Sequence, residues 1–204
     1  MHGALVEAQH VYLDAGTLWY LASQSTSLVR ILEIGLGTGL NAVLTLAAVQ
    51  KDTLCHYVAL EPFPISVACA DAYSETLASI YPQLPVDLLA ALHRAPENTE
   101  ITLKGHRFCK HTATLENFIT DMPFDVIYMD AFSPSTQPEL WEPEILQKLA
   151  TMLAPGGYLV TYCAKGSVRR GLAAAGLETE RLPGPPGKRE MLRARKPFLL
   201  SEGL

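Results

Sequence analysis

The chain has 204 residues, of which 49% are hydrophobic and 18% charged, and its net charge at pH 7 is −5. This length suits one domain over residues 1–204. No apolar run approaches the roughly 20 residues of a membrane-spanning helix. Cys55, Cys69, Cys109 and Cys163 form no C-x-x-C pair that would indicate a zinc site. With no basic and apolar leader segment, the sequence predicts a cytoplasmic protein without membrane contact or bound metal.

The first predicted elements precede the core. Residues 1–27 are predicted to form an N-terminal extension with a short strand at His10–Leu13. Glu7, His10 and Tyr12 are candidates to line the mouth of a substrate site. The competing interpretation is that these side chains only cap the extension.

A strand, a glycine turn and a helix follow, with the sequence R-I-L-E-I-G-L-G-T-G-L-N from Arg30 to Asn41. Leu28 to Ile34 lacks the polar alternation of a half-exposed strand, which predicts a buried parallel strand. The G-x-G-x-G spacing differs from the G-x-G-x-x-G typical of dinucleotide binding. An acid before the glycines suits a ligand with an ammonium and no phosphate, which favours S-adenosylmethionine over NAD. The predicted cofactor contacts here are Glu33, Gly35, Leu36, Gly37, Gly39 and Asn41.

The second predicted strand, His56 to Glu61, also ends in an acid. Glu61 lies 22 residues beyond Gly39, and an acid at that distance accepts hydrogen bonds from ribose hydroxyls. We therefore predict that Glu61 and the adjacent Pro62 contact the cofactor. After a predicted helix, prolines interrupt residues 81–105, which we interpret as an insertion and a candidate lid.

The strand Phe124 to Asp130 is strongly indicated and places Asp130 at its carboxyl end. Ligands of open α/β sheets bind beyond these ends, so Asp130 should face the same crevice as the earlier acids. Phe132 follows in a loop with Trp141, and both aromatics are candidates to stack on a planar substrate. Packing in the core is the competing interpretation, above all for Trp141.

The last predicted strands, Leu177–Leu182 and Glu190–Arg195, are joined without a helix and should be antiparallel or nearly so. The predicted fold class is therefore α/β: a Rossmann-like class I S-adenosylmethionine-dependent methyltransferase. Its seven-stranded, mostly parallel sheet ends in an antiparallel β-hairpin.

The segment from Lys165 to Lys196 contains nine Lys/Arg and three Glu, a local net charge of +6. A polyanion-binding face and an ordinary solvated surface both account for this charge. The candidate phosphate contacts are Arg169, Arg170, Lys188 and Arg189.

Several motifs together resemble one known family. They are E-I-G-L-G-T-G-L-N at 33–41, D-A-F-S-P followed by P-E-L-W within 130–141, T-Y-C-A-K-G-S-V-R-R-G-L at 161–172, and P-G-P-P-G-K-R-E-M-L at 183–192. From about Gly3 onward the chain resembles the methyltransferase domain of the tRNA 5-methylaminomethyl-2-thiouridine biosynthesis protein.

This resemblance implies methylation of the primary amine of 5-aminomethyl-uridine at the wobble position of bacterial tRNA. It implies S-adenosylmethionine as cofactor, tRNA as partner, and functional coupling to the enzymes that install the 5-aminomethyl group. A flavin-dependent oxidoreductase domain is often fused to this domain. The present chain resembles the stand-alone form, so FAD is not expected. Where the family carries an acid near adenine, this chain has His111 or Thr112, which we expect to hold adenine more weakly.

The hypothesis for catalysis centres on Asp130. Methyl transfer needs an uncharged nucleophile aligned with the sulfonium carbon, and a primary alkylamine is largely protonated at neutral pH. Asp130 would accept a hydrogen bond from the amine and receive or relay its proton, or would only position the amine. The alternatives are a spermidine-synthase-like aminopropyltransferase or another small-molecule amine methyltransferase, an NAD enzyme, and a catalytically idle RNA-binding module.

Overall fold

The computed structural model describes residues 2–198. Within that range the strands are β1 (Leu28–Ile34), β2 (Leu54–Leu60), β3 (Ile101–Leu103), β4 (His106–His111), β5 (Phe124–Met129), β6 (Leu153–Thr161), β7 (Glu178–Pro183) and β8 (Glu190–Arg195). The helices are α1 (His2–Glu7), α2 (Trp19–Ser23), α3 (Leu40–Ala48), α4 (Val67–Ile80), α5 (Val86–Arg94), α6 (Pro143–Met152) and α7 (Gly166–Ala174). A π-helical segment, Ala8–Leu18, joins α1 to α2, and a 3-10 turn, Pro138–Trp141, precedes α6.

The strands form one mixed sheet in the order β3-β4-β2-β1-β5-β6-β8-β7. The five strands β4, β2, β1, β5 and β6 are parallel, and the hairpin β7–β8 is antiparallel, with β8 against β6. The α/β class, the parallel centre and the terminal hairpin are confirmed. The predicted number of strands was one too low. Strand β3 has only three residues and pairs with β4 across Lys104 and Gly105, both at positive φ, so its sequence carries almost no periodic signal.

The two faces of the sheet are covered by different helices, because alternate residues of each strand point to opposite sides. Ile31 packs in a cluster with side chains from the π-helical segment, α3 and α5. The adjacent Leu32 packs in a second cluster with side chains from α6 and α7. The sheet is therefore enclosed on both faces, as parallel sheets require.

The N-terminal segment is helical, and the predicted strand at His10–Leu13 was wrong. Val11, Tyr12 and Leu13 are buried in succession because the π-helical segment lies against β5, β6 and α3. Gly16 allows the close approach, since a Cβ there would lie 3.0 Å from the Tyr128 ring and 3.1 Å from Val160.

Residues 81–105 contain α5 and β3. Leu88, Leu89 and Leu92 are buried, and α5 packs on α4. His93, at the end of α5, has its Nε2 atom 3.1 Å from the carbonyl oxygen of Thr38 in the glycine turn. This segment thus supports the glycine turn from the core side.

Within the described residues, no helix is both long and apolar enough to span a membrane.

Candidate active site

The carboxyl ends of three adjacent strands bring the predicted site residues to one level. Ile34 of β1 is paired with Leu60 of β2 and with Met129 of β5. The chain therefore leaves the sheet at the same height after each strand, and the next residues are Gly35, Glu61 and Asp130. Open α/β sheets bind their ligands at this edge.

A cavity of about 590 Å³ opens at this edge. Its volume lies within the range of small-molecule sites. Its wall is formed in part by Glu7, Gly35–Thr38, Glu61–Phe63, Ala113–Glu116 and Asp130–Phe132. The cavity thus joins the glycine turn, both strand-end acids and the N-terminal helices.

The three glycines of the turn have positive φ, a backbone conformation that favours glycine. Gly35 has φ +89°, and a Cβ there would lie 3.1 Å from the carbonyl oxygen of Asp130. Gly37 has φ +52° and lines the cavity with no atom within 4 Å of the Cβ position. Leu36 lines the cavity as well, whereas Gly39, the N-cap residue of α3, has φ +79° and does not line it. A side chain at Gly37 would enter the cavity, so this wall fits a closely held cofactor.

Glu61 and Pro62, which were predicted to contact the cofactor, both lie on the cavity wall. The Oε2 atom of Glu61 accepts a hydrogen bond from the backbone N–H of Gly37 at 2.8 Å, and its Oε1 atom accepts one from the N–H of Phe63 at 3.0 Å. These bonds fix the carboxylate between the glycine turn and the end of β2. Each oxygen keeps a free lone pair, which suits it to accept a bond from a ribose hydroxyl.

Glu33 lies beneath the cavity wall and not on it, contrary to the expectation that it would meet the cofactor directly. Its carboxyl is fully buried and accepts hydrogen bonds from Asn41 Nδ2 and from the Tyr57 hydroxyl, each at 2.8 Å. Burial raises the pKa of Glu33 well above its ordinary value, and the neighbouring charge of Asp130 adds to this. Glu33 is therefore connected to the cavity through its hydrogen bond with Asn41, which does line the cavity.

Asp130 is a half-buried acid on the cavity wall. Its Oδ1 atom accepts a hydrogen bond from the Tyr12 hydroxyl at 2.6 Å, and its Oδ2 atom accepts one from Asn41 Nδ2 at 2.8 Å. Burial raises the pKa of Asp130 to about 6, and the bonds from Tyr12 and Asn41 act in the opposite direction. The carboxylate is thus charged at neutral pH but close enough to its pKa to exchange a proton.

The predicted adenine contacts His111 and Thr112 do not line the cavity. The His111 ring lies 2.9 Å from Asn98 Oδ1 through Nδ1 and 3.4 Å from the Cys109 sulfur through Nε2, beside a separate shallow pocket. The chain reaches the cavity only after Thr112, where Ala113–Glu116 form its wall. The two residues predicted to contact adenine therefore precede the cavity wall in the chain, because β4 ends at His111 and the chain turns toward the cavity only afterwards.

Two exposed aromatic rings lie on the cavity wall. Phe132 is 70% exposed and Phe63 is 84% exposed. Phe63 was not among the predicted site residues, although its position directly after Glu61 and Pro62 places it at this edge. Trp141 is buried, and its indole N–H donates to the carbonyl oxygen of Phe132 at 2.8 Å. Trp141 therefore fixes the Phe132 loop and leaves the two phenylalanines available to stack on a planar group.

The predicted phosphate contacts lie around the same edge without lining the cavity. Arg169 and Arg170 follow β6 near the start of α7, and Lys188 and Arg189 lie in the turn between β7 and β8. Since β8 runs antiparallel to β6, that turn returns to the carboxyl edge of β6. Lys188 forms an ion pair with Glu7, and its ammonium lies 4.1 Å from the centre of the Tyr162 ring. Lys188 is thus engaged at the mouth of the cavity.

These features define a class I S-adenosylmethionine-dependent methyltransferase fold. A family model described as S-adenosyl-L-methionine-dependent methyltransferase matches residues 70–197, which is more than half of the chain. The chain belongs to this family, and it is an enzyme whose methyl donor is S-adenosylmethionine.

Individual relatives agree with this assignment. The tRNA 5-methylaminomethyl-2-thiouridine biosynthesis bifunctional protein MnmC of Cupriavidus metallidurans is 35% identical over 216 residues, covering 95% of this chain and 30% of that protein. The chain spans about 30% of the length of such curated relatives. The crystal structure of MnmC2 from Aquifex aeolicus is similar with a TM-score of 0.74 at 22% identity, over 99% of this chain and 65% of that one. The S-adenosylmethionine-bound amino pentose methyltransferase CalS10 from Micromonospora echinaspora has a TM-score of 0.54 at 15% identity, over 96% of each chain.

Proposed function

We propose that the protein methylates the primary amine of 5-aminomethyl-uridine, including its 2-thio form, at the wobble position of tRNA. The observation that carries this proposal is the Asp130 carboxylate, held on the cavity wall by Tyr12 and Asn41. The names of relatives such as the Cupriavidus metallidurans protein supply the substrate, because they refer to 5-methylaminomethyl-2-thiouridine of tRNA.

The bound cofactor supplies an electrophilic methyl group. Its nucleoside would be held by the glycine turn and by Glu61, with the wall at Ala113–Glu116 completing the cavity around it. The Asn41 amide, which Glu33 and Asp130 share, would keep the acidic side chains apart from one another. The residues of this chain thus orient the reactants, which is the main requirement of a displacement whose leaving group departs neutral.

The acceptor amine must lose a proton before it attacks, because alkylammonium groups remain charged near neutral pH. An Asp130 carboxylate would attract the ammonium and then receive or relay its proton. The exposed rings of Phe132 and Phe63 would stack on the uracil ring and hold the 5-substituent toward Asp130. A base outside the helical stack is accessible to such rings, and the wobble base lies in the single-stranded anticodon loop.

This role places the protein with cytoplasmic tRNA. It also requires a preceding reaction that installs a primary amine on the carbon at position 5 of uridine, which is the expected functional coupling. The aminopropyltransferase alternative would use a small diamine in place of tRNA.

The proposal is tested by offering different acceptors. The protein should transfer labelled methyl groups from S-adenosylmethionine to tRNA that carries 5-aminomethyl-uridine. It should transfer none to the same tRNA after acetylation of its primary amines, and no aminopropyl group to putrescine from decarboxylated S-adenosylmethionine. Equal labelling of acetylated tRNA would remove the amine as acceptor, and reaction with putrescine would identify the protein as an aminopropyltransferase.

A further inference from the structure

Tyr12 joins the N-terminal helices to the site. It lies on the π-helical segment, where the N–H of Trp19 bonds the carbonyl oxygen of Asp14 five residues earlier. Its side chain is only 1% exposed, and its ring lies 5.3 Å from that of Tyr128. The hydroxyl reaches Asp130 Oδ1 at 2.6 Å. Because the ring is enclosed, this hydroxyl has a fixed position relative to the carboxylate.

Tyr12 and Asn41 hold the two oxygens of Asp130 from different elements. Asn41, on α3, donates to Oδ2, and the same amide is fixed by Glu33. Glu33 is fixed in turn by Tyr57. A chain of hydrogen bonds therefore runs from the core through Asn41 to Asp130 and ends at Tyr12. A carboxylate held at both oxygens cannot rotate, so the direction of its remaining lone pairs is set.

The charge of Asp130 depends on groups from every element around it. Burial favours the neutral acid, whereas hydrogen bonds to the carboxylate favour the charged form. The titratable and charged groups that face it are Tyr12 and Glu7 from the N-terminal helices, Glu33 from β1, Tyr162 after β6 and Lys188 from the β7–β8 turn.

The same helical region contains a second bond between a tyrosine and an aspartate, which serves as a comparison. The Tyr20 hydroxyl donates to Asp125 Oδ1 at 3.1 Å. Asp125 also accepts from the backbone N–H of Arg30 at 2.7 Å and does not line the cavity. This pair connects α2 to the sheet away from the site. The chemistry is the same, but only Tyr12 bonds to a carboxylate that faces the acceptor.

We propose that Tyr12 is a positioning residue for methyl transfer, whose hydroxyl holds the Asp130 carboxylate in the orientation and the charged state in which it accepts the substrate ammonium. This inference rests on the proposed function for its substrate. It assigns the N-terminal helices a part in the reaction, although the matched family region begins only at residue 70.

The first test is the pH profile of kcat/KM in Tyr12→Phe, with Tyr20→Phe as the matched control. Loss of the hydroxyl should move the midpoint of the acid limb to higher pH by about one unit. The reason is that a hydrogen bond to the charged carboxylate lowers its pKa by about that amount. Activity should fall roughly fivefold at pH 6, where about half of the wild-type Asp130 is ionised, and very little at pH 8.5. Tyr20→Phe should keep the wild-type midpoint. An unchanged midpoint in Tyr12→Phe, or an equal loss at both pH values, would overturn the proposal.

The second test needs neither cofactor nor tRNA. The ¹³C carboxyl signal of Asp130, assigned by its absence in Asp130→Asn, should titrate at higher pH in Tyr12→Phe than in the wild type. If Tyr12→Phe does not fold, 3-fluorotyrosine at position 12 keeps the ring, strengthens the donor and should move the midpoint downward. If the titration midpoint of Asp130 moves in neither variant, Tyr12 does not hold the Asp130 carboxylate in its charged state. Failure of the wild type to methylate tRNA would instead refute the proposed function, while the titration still reports on Tyr12.

Discussion

Asp130 accepts hydrogen bonds on both oxygens while its burial favours the neutral acid, so its charge is finely balanced. Its pKa of about 6 has a definite consequence for the pH dependence of the reaction. Above that pH the carboxylate is charged and can receive a proton. Below it the group is protonated and cannot. Methylation should therefore decline as the pH is lowered through about 6.

Replacement of Asp130 by asparagine tests this role. Asp130→Asn should lower the single-turnover methylation rate at pH 7.5 by about 100-fold or more, since a positioned acid–base group contributes about 10²–10⁴. The acid limb near pH 6 should vanish with it. The control Asp121→Asn changes an exposed acid outside the cavity and should leave rate and profile unaltered. A rate within threefold of wild type for Asp130→Asn would exclude the carboxylate from the reaction.

Some residues of the site were predictable from the sequence and others were not. The sequence indicated that Glu61 and Asp130 lie at the binding edge, because each directly follows a buried strand. The end of a strand determines at which edge of the sheet the next residue lies. Glu33 lies within a strand, where the side to which a residue points decides whether it meets a ligand or the core. The bond from Tyr12 to Asp130 spans 118 positions and leaves no local pattern.

At the scale of elements, the glycine turn decides how closely β1 and β5 approach beyond the sheet. Gly35→Ala should destabilise the fold by about 1–3 kcal/mol, because alanine is strained at φ +89° and its Cβ would press on the carbonyl of Asp130. It should also weaken S-adenosylmethionine binding, since the turn lines the cavity. Thermal unfolding and calorimetry measure the two effects.

The matched control is Gly3→Ala. Gly3 lies in α1, without positive φ and with no atom within 4 Å of the Cβ position. Alanine there should be neutral or stabilise by up to about 1 kcal/mol. If Gly35→Ala and Gly3→Ala had the same effect on thermal unfolding and on S-adenosylmethionine binding, the close approach of the turn to Asp130 would contribute nothing to stability or binding.

Elements were predictable where their periodicity was strong. The bounds of β1 agree with the prediction to the residue because its buried run ends abruptly at the first glycine. The N-terminal segment was misjudged because a π-helical segment places neighbouring residues on one buried face, a spacing that neither helix nor strand templates describe.

At the scale of the whole molecule, the basic C-terminal region divides into paired and unpaired charges. Arg181, Arg193 and Arg195 each pair with a glutamate of the hairpin, and Lys188 pairs with Glu7. In the part of the chain that the structure describes, no ion pair involves Lys165, Arg169, Arg170 or Arg189. These unpaired cations lie near the carboxyl edge of the sheet, and they are the ones free to contact phosphates.

The triple variant with alanine at Arg169, Arg170 and Arg189 should therefore bind tRNA with a flatter dependence on salt. The slope of log K against log salt concentration should fall by about two to three units, since each phosphate contact contributes about 0.7–0.9. Lys51 and Lys104 precede β2 and β4 at the opposite edge of the sheet, so their double alanine variant should keep the slope. Equal slopes in all proteins would remove the basic face from tRNA binding.

The most direct test of the proposed function is nucleoside mass spectrometry of tRNA incubated with the protein and S-adenosylmethionine. We predict that 5-aminomethyl-uridine, in its 2-thio form where present, disappears from the wobble position. An equal amount of the 5-methylaminomethyl nucleoside should appear, and Asp130→Asn should leave the tRNA essentially unchanged. Unaltered wobble nucleosides with active wild-type protein, or a new methyl group on any other nucleoside, would contradict it.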